Sequence, residues 1–484
     1  MKKITIIGAG LGGLTAGALL AKEGHKVTIL EQHNIVGGCA TTFKRKGGFR
    51  CEVGLHEMDG VYTNPQIVDI FNKLDVYNNV EFIKADEFFE VNTKYSKFRM
   101  PNGIKEAKDT LTKKFPLEKE GIESYFRLIE KIATSLGRLQ NGSWYDYALF
   151  PFLFWDILLY RPKSVSKVLD KIIDDNELKL ILNTNVQYYN DTPKTLSFLL
   201  HAVAQHSYYK GGGYFIKGGS GKLSDYLAKV ITDNGGEVLT GANVVSIKDN
   251  TLKYIHNKER KQISIDEVIS NLSPKQTYSL YSLYFNETKE IGNSLLTIYF
   301  GFSKNLKEVY GERAYSNFIF DNMTSMDDFK KEIEKDILDR AFIFVDYSQL
   351  DSGLTKDSSK SFGVTTTMDS IKEWSSLSDQ EYKDKKEVLI KTTLQRLEKH
   401  YPNISNLVEY AEVGTAKTVQ RYIKTPNGTA YGFKPRPKQF FRVPQVKSKY
   451  VKNLYFVGQW VIAGGFSPAI MSGGLCFDGL KEKL

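Results

Sequence analysis

The sequence predicts an α/β protein built on a parallel sheet, with an α+β domain inserted into it. Three observations predict it. A cluster of glycines sits between two short apolar strands at the N-terminus. A strand, a glycine turn and a helix close the chain at the other end. Between them, residues 76–208 and 286–412 are rich in Lys, Glu, Leu and aromatics, with no repeat and no low-complexity linker. The expected organisation is a discontinuous domain over 1–75, 209–285 and 413–484, carrying a second domain over 76–208 and 286–412.

Ile4 to Ile7 reads as a buried strand, Leu14 to Lys22 as a helix and Lys26 to Leu30 as a second strand closed by Glu31. The link between the first strand and the helix is Gly8-Ala9-Gly10-Leu11-Gly12-Gly13. This is the dinucleotide fingerprint of a Rossmann-type unit. Gly8 permits the tight turn, Gly10 lets the backbone approach a pyrophosphate, and Gly13 lets helix and strand pack closely. The helix N-terminus offers free N–H groups and partial positive charge to the diphosphate. Glu31 would accept hydrogen bonds from the ribose hydroxyls and would repel a 2′-phosphate, which counts against NADP here. Glycine is 39 of 484 residues, so the bare triple arises by chance roughly 0.25 times in such a chain, and the flanking strands carry the weight.

The following segments separate FAD from NAD. Gly37-Gly38-Cys39-Ala40-Thr41-Thr42-Phe43 comes almost directly after the second strand, then Gly54-Leu55-His56. A Gly-Gly turn with hydroxyls suits a cofactor that continues past the pyrophosphate. On these residues the chain resembles the phytoene desaturase, carotenoid isomerase and retinol saturase family, within the larger amine oxidase flavoprotein group. The wording around Gly37 to Phe43, with Gly54 and His56, looks most like the retinol saturase branch. Amine oxidases usually carry Arg where Cys39 stands.

Further along, Gly218-Gly219-Ser220-Gly221-Lys222 precedes a helix from Leu223 to Asn234 and a strand from Glu237 to Thr240. A Walker loop would need Gly at 216 and Ser or Thr at 223, where Ile216 and Leu223 stand. The segment resembles instead the family's turn toward a second cofactor strand. The resemblance implies that Val244 and Val245 hold the adenine through the backbone; a plain core strand is the other reading. Val268 to Pro274, with Asn271, looks like the return to the FAD domain. Asn453 to Trp460 and Ala463 to Gly473 closely resemble the family's C-terminal FAD motif. Ser467 reads as an N-cap and Pro468 as the first helical residue. The dipole of that helix would face the flavin N1/O2 edge. Gly458-Gln459 replaces the Gly-Asp of many relatives, which leaves the finer contact open.

The resemblance thus implies FAD, contacted by Gly8, Ala9, Gly10, Gly12, Gly13, Leu14, Glu31, Gln32, Gly38, Cys39, Thr41 and Thr42. Val244, Val245, Asn271, Gly458, Gln459, Ser467, Pro468, Ala469 and Ile470 complete the expected set. It also implies an FAD-dependent oxidoreductase acting on C–C or C=C bonds of an apolar isoprenoid or polyene lipid. His56, Glu57 and Tyr431 are the candidate polar groups near the ring, each with a structural alternative: a turn hydrogen-bonder, a paired carboxylate, a cavity wall. No metal set is expected. NAD(P)H or another external donor or acceptor would visit without stable binding, since no second fingerprint is visible. The alternatives are a flavin-dependent amine oxidase and a non-catalytic prenyl-lipid carrier like the Rab GDP-dissociation inhibitors.

The charge is local. The chain carries 66 Lys and Arg against 56 Asp and Glu, a formal +10. Val413 to Phe477 holds no Asp or Glu and ten Lys or Arg, which accounts for the whole excess. Cofactor phosphates explain part of it; the cluster from Lys434 to Lys452 reads as a basic surface for an anionic membrane rather than for nucleic acid. Trp144 to Tyr160 is dense in aromatics, too short and too acid-marked to span a bilayer, and followed by Arg161 and Lys163. It suits a membrane interface or a cavity wall. Cys39, Cys51 and Cys476 fit neither a disulfide framework nor a zinc site, and point to a reducing, cytoplasmic setting. The start Met1-Lys2-Lys3-Ile4 mimics a signal peptide, but its apolar run breaks at once into the glycines.

Overall fold

Five short strands distant in sequence meet in one parallel sheet. In the computed structural model its order is Leu454–Phe456, Glu267–Ser270, Lys3–Ile7, Lys26–Leu30, Glu237–Leu239. All four pairings are parallel. The structure describes residues 1–140, 149–189, 191–440 and 445–481. Trp144 to Ala148 of the aromatic segment, Arg442 and the side chain of Lys438 lie outside that description.

The first strand is central because its Ile4, Ile6 and Ile7 are buried and feed both faces of the sheet. Above it lies the helix Leu11–Lys22, in which Leu11 through Ala21 are all buried. Glycine weakens a helix by up to about 1 kcal/mol per position. Here close approach demands it. A Cβ on Gly17 would meet Ile6, Ile231 and Ile29 at 3.0–3.2 Å. One on Gly473 would meet Thr15 Cβ at 2.8 Å. The final helix, Phe466–Lys481, therefore crosses the first at small residues, and the first lies on the sheet.

Two boundaries differ from the sequence reading. The first helix starts at Leu11, not Leu14, because Leu14 N–H already donates to the Gly10 carbonyl at 2.9 Å. The last helix starts at Phe466, so Ser467 is not its N-cap and Pro468 is its third residue. Ser467 Oγ is drawn away to Asp59, donating to its carbonyl at 2.9 Å and Oδ1 at 3.0 Å. Pro468 is tolerated because first-turn amides have no helical acceptor.

The inserted elements form a seven-stranded mixed sheet. Its order is Val408–Gly414, Ser294–Phe302, Ser361–Asp369, Phe342–Asp346, Ser316–Phe320, Glu87–Thr93, Lys97–Pro101. One pair is parallel, Ser316–Phe320 with Glu87–Thr93. The helices Lys119–Gln140 and Phe198–Gly211 pack on each other beside it. A three-stranded antiparallel sheet over Ala242–Ser264 flanks the parallel one. No described helix is long and apolar enough to cross a membrane.

Candidate active site

One cavity of about 2090 Å³ is lined by the carboxyl ends of the parallel strands and by the inserted helices and sheet. It sits where strand order diverges on either side of Lys3–Ile7, the switch point at which open α/β sheets bind ligands. Its volume is about twice that of a drug-sized pocket, room for a large cofactor and a second molecule.

The three returning segments fit together through their glycines. Gly8, at φ +93°, turns the chain out of the strand. A Cβ on Gly12 would lie 2.5 Å from the Gly458 nitrogen. Cβ atoms on Gly10 and on Gly458 would both strike the Asn271 side chain. With its oxygen toward Gly10, Asn271 accepts from Gly10 N at 3.1 Å and donates to the Val457 carbonyl at 3.3 Å. The glycines thus serve close docking of the N-terminal, middle and C-terminal segments, beyond the approach to pyrophosphate that the motif suggests. Gly8, Gly10, Gly12, Asn271, Gly458 and Gln459 all border the cavity.

Glu31 is buried at the cavity wall, its carboxylate accepting from Ala9 N at 2.7 Å and His33 N at 2.8 Å. Burial raises its pKa, against the pull of those two amides. The bond to the Glu31 carboxylate holds Ala9 behind the wall. Gln32, Gly38, Cys39 and Thr41 line the cavity. Burial pushes the Cys39 thiol up to about 12, so it remains protonated. Val244 lines it too, but Val245 does not: a register shift in the strand turns Val245 outward, where it is exposed. Thr42 packs instead against the turn at Gly219 and Gly221. Gly13, Leu14 and Ile470 lie in the core behind the surface that Leu11, Ser467, Pro468 and Ala469 present.

The structure brings His56, Glu57 and Tyr431 to this cavity. Burial drives the His56 imidazole down to about 4, so it is neutral at pH 7. Its ring stands edge-on to Tyr188 at 5.7 Å. Burial raises the Glu57 carboxyl to about 8, and the nearby Asp59 charge adds to the rise. Ser316 Oγ donates to Glu57 Oε1 at 3.3 Å, while Oε2 is buried without a hydrogen-bond partner. Burial also keeps Tyr431 a phenol. Its backbone abuts Gly464, where a Cβ would lie 2.5 Å from Tyr431 Cα, which fixes the loop against the start of the last helix.

Sequence reading missed Asp59, Tyr188 and Tyr208, which share this chamber. Asp59 was within reach, two residues from Glu57 in a turn bounded by Gly54 and Gly60. The tyrosines arrive from an insert more than a hundred residues away and carry no local signal.

Comparison with known proteins bears on what the cavity holds. Cyclohexylamine oxidase from Brevibacterium oxydans superposes with a TM-score of 0.63 at 15% identity, over 100% of this chain and 99% of that one. A Rab GDI from Plasmodium falciparum superposes at 0.55 and 13% identity, over 99% and 98%. These likenesses establish the fold. All-trans-retinol 13,14-reductase of Danio rerio is 27% identical over 97% of this chain and 84% of its own. Prolycopene isomerase of Daucus carota is also 27% identical, over 99% and 80%. The fold is that of a flavoprotein oxidoreductase. The chain belongs to the flavin containing amine oxidoreductase family, whose model matches residues 11–476.

Its cofactor is a flavin, and the residues present fit FAD. The amides of Leu11, Gly12 and Gly13 have no acceptor within their helix and open a positive helix end at the cavity. Gly8, Gly10, Gly12, Gly38 and Gly458 border the cavity and let the three segments that form its floor dock closely. Glu31 lies at one part of the wall and the start of the last helix at another, as an extended dinucleotide requires.

Proposed function

We propose that this FAD-dependent oxidoreductase acts on C–C or C=C bonds of an apolar isoprenoid or polyene lipid. One observation carries the reading: the cavity runs on into a largely apolar channel beside which Glu57 and His56 are held neutral. Ala133 and Leu136 of one inserted helix and Leu200, Val203 and Ala204 of the other form its wall. Glu57, His56 and the tyrosines are uncharged at pH 7 for the reasons given. Such a chamber favours a neutral hydrocarbon over a protonated amine. The names of the two relatives, a retinol reductase and a prolycopene isomerase, agree with a polyene.

Bound FAD supplies two-electron hydride exchange. Glu57 holds a proton at neutral pH on a carboxyl with one free oxygen, and can hand it to a substrate carbon or take it back. His56 and Tyr188 shape the wall beside it. Asp59 ties this turn to the last helix through Ser467.

In this reading residues 1–75, 209–285 and 413–484 serve the cofactor and the remainder serves the substrate. The enzyme works at the cytoplasmic face of an anionic membrane. Three free thiols and the exposed Phe152 and Trp155 support that setting. The test is to purify the protein, load FAD and incubate it with polyene-rich lipid extract under oxidised and reduced conditions. A product shifted by two hydrogens, or an isomer of equal mass, is expected. Turnover of soluble amines with peroxide release, and of no lipid, would sink the proposal.

A further inference from the structure

The cavity also carries cations that neither Glu57 chemistry nor the glycine cradle uses. Lys386 and Lys417 come from two different helices, Asp379–Leu397 and Ala416–Ile423. Both place their ammonium groups over the Tyr382 ring, at 5.3 and 5.2 Å from its centroid. Tyr382 Oη and Thr415 Oγ1 lie 2.9 Å apart and join the two elements. One turn on from Lys417, the Arg421 guanidinium lies 5.5 Å from the Tyr422 ring, which meets His33 edge-on at 5.2 Å. His33, Tyr382, Lys386, Lys417, Arg421 and Tyr422 all line the cavity, with Thr415 buried behind them.

Counter-charge is scarce there. Of the carboxylates on this stretch of wall, Glu412 is bound by Arg45 at 2.7 and 3.0 Å and also feels the Lys386 charge, Glu31 is held by backbone amides, and Asp379 is exposed. Among the described residues Lys417 and Arg421 form no ion pair. Cations gathered from two elements, of which Lys417 and Arg421 have no ion-pair partner, fit a polyanion. The FAD diphosphate already has the helix end at Leu11 to Gly13. The rim therefore fits a second diphosphate, and the half-exposed Tyr422 ring offers a face on which a planar base can stack.

We propose that this rim is the docking site for the diphosphate of a nicotinamide dinucleotide, the external electron donor of the enzyme. Recognition by cations and rings needs no second glycine fingerprint and suits transient binding. A reduced nicotinamide docked there gives up one hydride, two electrons with one proton, to the flavin and leaves as the oxidised pyridinium. The proposal rests on the flavoenzyme reading above.

The test uses FAD-loaded protein. Binding of oxidised NAD, oxidised NADP, ADP and inorganic pyrophosphate is measured by titration calorimetry at two salt concentrations. Anaerobic bleaching of the 450 nm band by NADH and NADPH is followed in parallel. Lys417→Glu/Arg421→Glu is compared with Lys253→Glu, an exposed position in the three-stranded sheet. We expect dinucleotide binding that weakens with salt, weaker by about tenfold or more in the double variant, the loss of at least one charge-assisted hydrogen bond. FAD content should be unchanged and Lys253→Glu silent. Lys417→Gln/Arg421→Gln, with its melting midpoint checked, repeats the test should charge reversal impair folding. Equal affinity in all variants, no binding by the parent protein, or binding to anionic vesicles only would overturn the proposal. So would loss of FAD from the variants, which would assign the rim to the cofactor's own phosphates. A parent protein that takes up no FAD would instead sink the flavoenzyme reading.

Discussion

Glu57 and His56 are adjacent, equally deep, and shifted in opposite directions by the same burial. Each therefore leaves a mark on stability against pH. Between about pH 4.5 and 8 the folded chain keeps a proton on Glu57 that the unfolded chain has lost, so stability falls as pH rises. Between about pH 6.5 and 4 the unfolded chain protonates His56 and the folded chain does not, so stability falls as pH falls. Ser316, Tyr188, Tyr208 and Asp59 face Glu57, and the Asp59 carboxyl is itself raised by burial. Glu57→Gln should melt higher than the parent at pH 8 and match it at pH 4.5, by calorimetry across that range; a constant offset would refute the assigned protonation. A glycine pair gives a second contrast. Gly12→Val drives a side chain into the Gly458 backbone, which cannot give way, and should cost about 1–3 kcal/mol or more and abolish FAD retention. Gly479→Ala meets nothing within 4 Å in the same final helix, and should stabilise by about 0.5–1 kcal/mol with FAD retained.

At the scale of elements, the aromatic segment is the one that packing does not explain. Its described part forms two short helices, Phe150–Leu153 and Trp155–Tyr160. Phe154 and Ile157 are buried, while Phe152 is 83% and Trp155 63% exposed. Asp156 anchors it inward, accepting from Ser135 Oγ at 2.7 Å, on the helix whose Ala133 and Leu136 line the apolar channel. An exposed aromatic rim thus stands beside the wall of the channel. Phe152→Ser/Trp155→Ser should cut flotation with anionic liposomes several-fold and leave FAD content unchanged; unaltered flotation would remove this segment from membrane contact. The element scale also shows what was legible. Strand and helix order around the glycines was readable because positive φ and missing Cβ atoms are local demands on residue type. The start of the last helix was not, since Ser467 is claimed by Asp59, four hundred residues away in sequence. The chamber tyrosines were hidden for the same reason.

At the scale of the whole molecule, the parallel sheet has no contiguous gene of its own. Its five strands come from residues 3–30, 237–270 and 454–456, separated by the segments that build the mixed sheet. Gly12, Asn271 and Gly458 are where those three returns meet, and each borders the cavity. A ligand lying across that junction contacts all three parts at once and none of them in the unfolded chain. FAD should therefore act as a structural clasp as well as a redox group. At free FAD about 100-fold above its Kd the linkage amounts to about 2.7 kcal/mol, and for a chain this long the melting midpoint should rise by about 3 °C. The rise should grow with the logarithm of FAD concentration. AMP, which can reach the Glu31 end but not Gly458, should give less than half of it. An equal rise with AMP would mean that the cofactor stabilises only the N-terminal unit, and that docking of the glycine-bearing returns is complete without it.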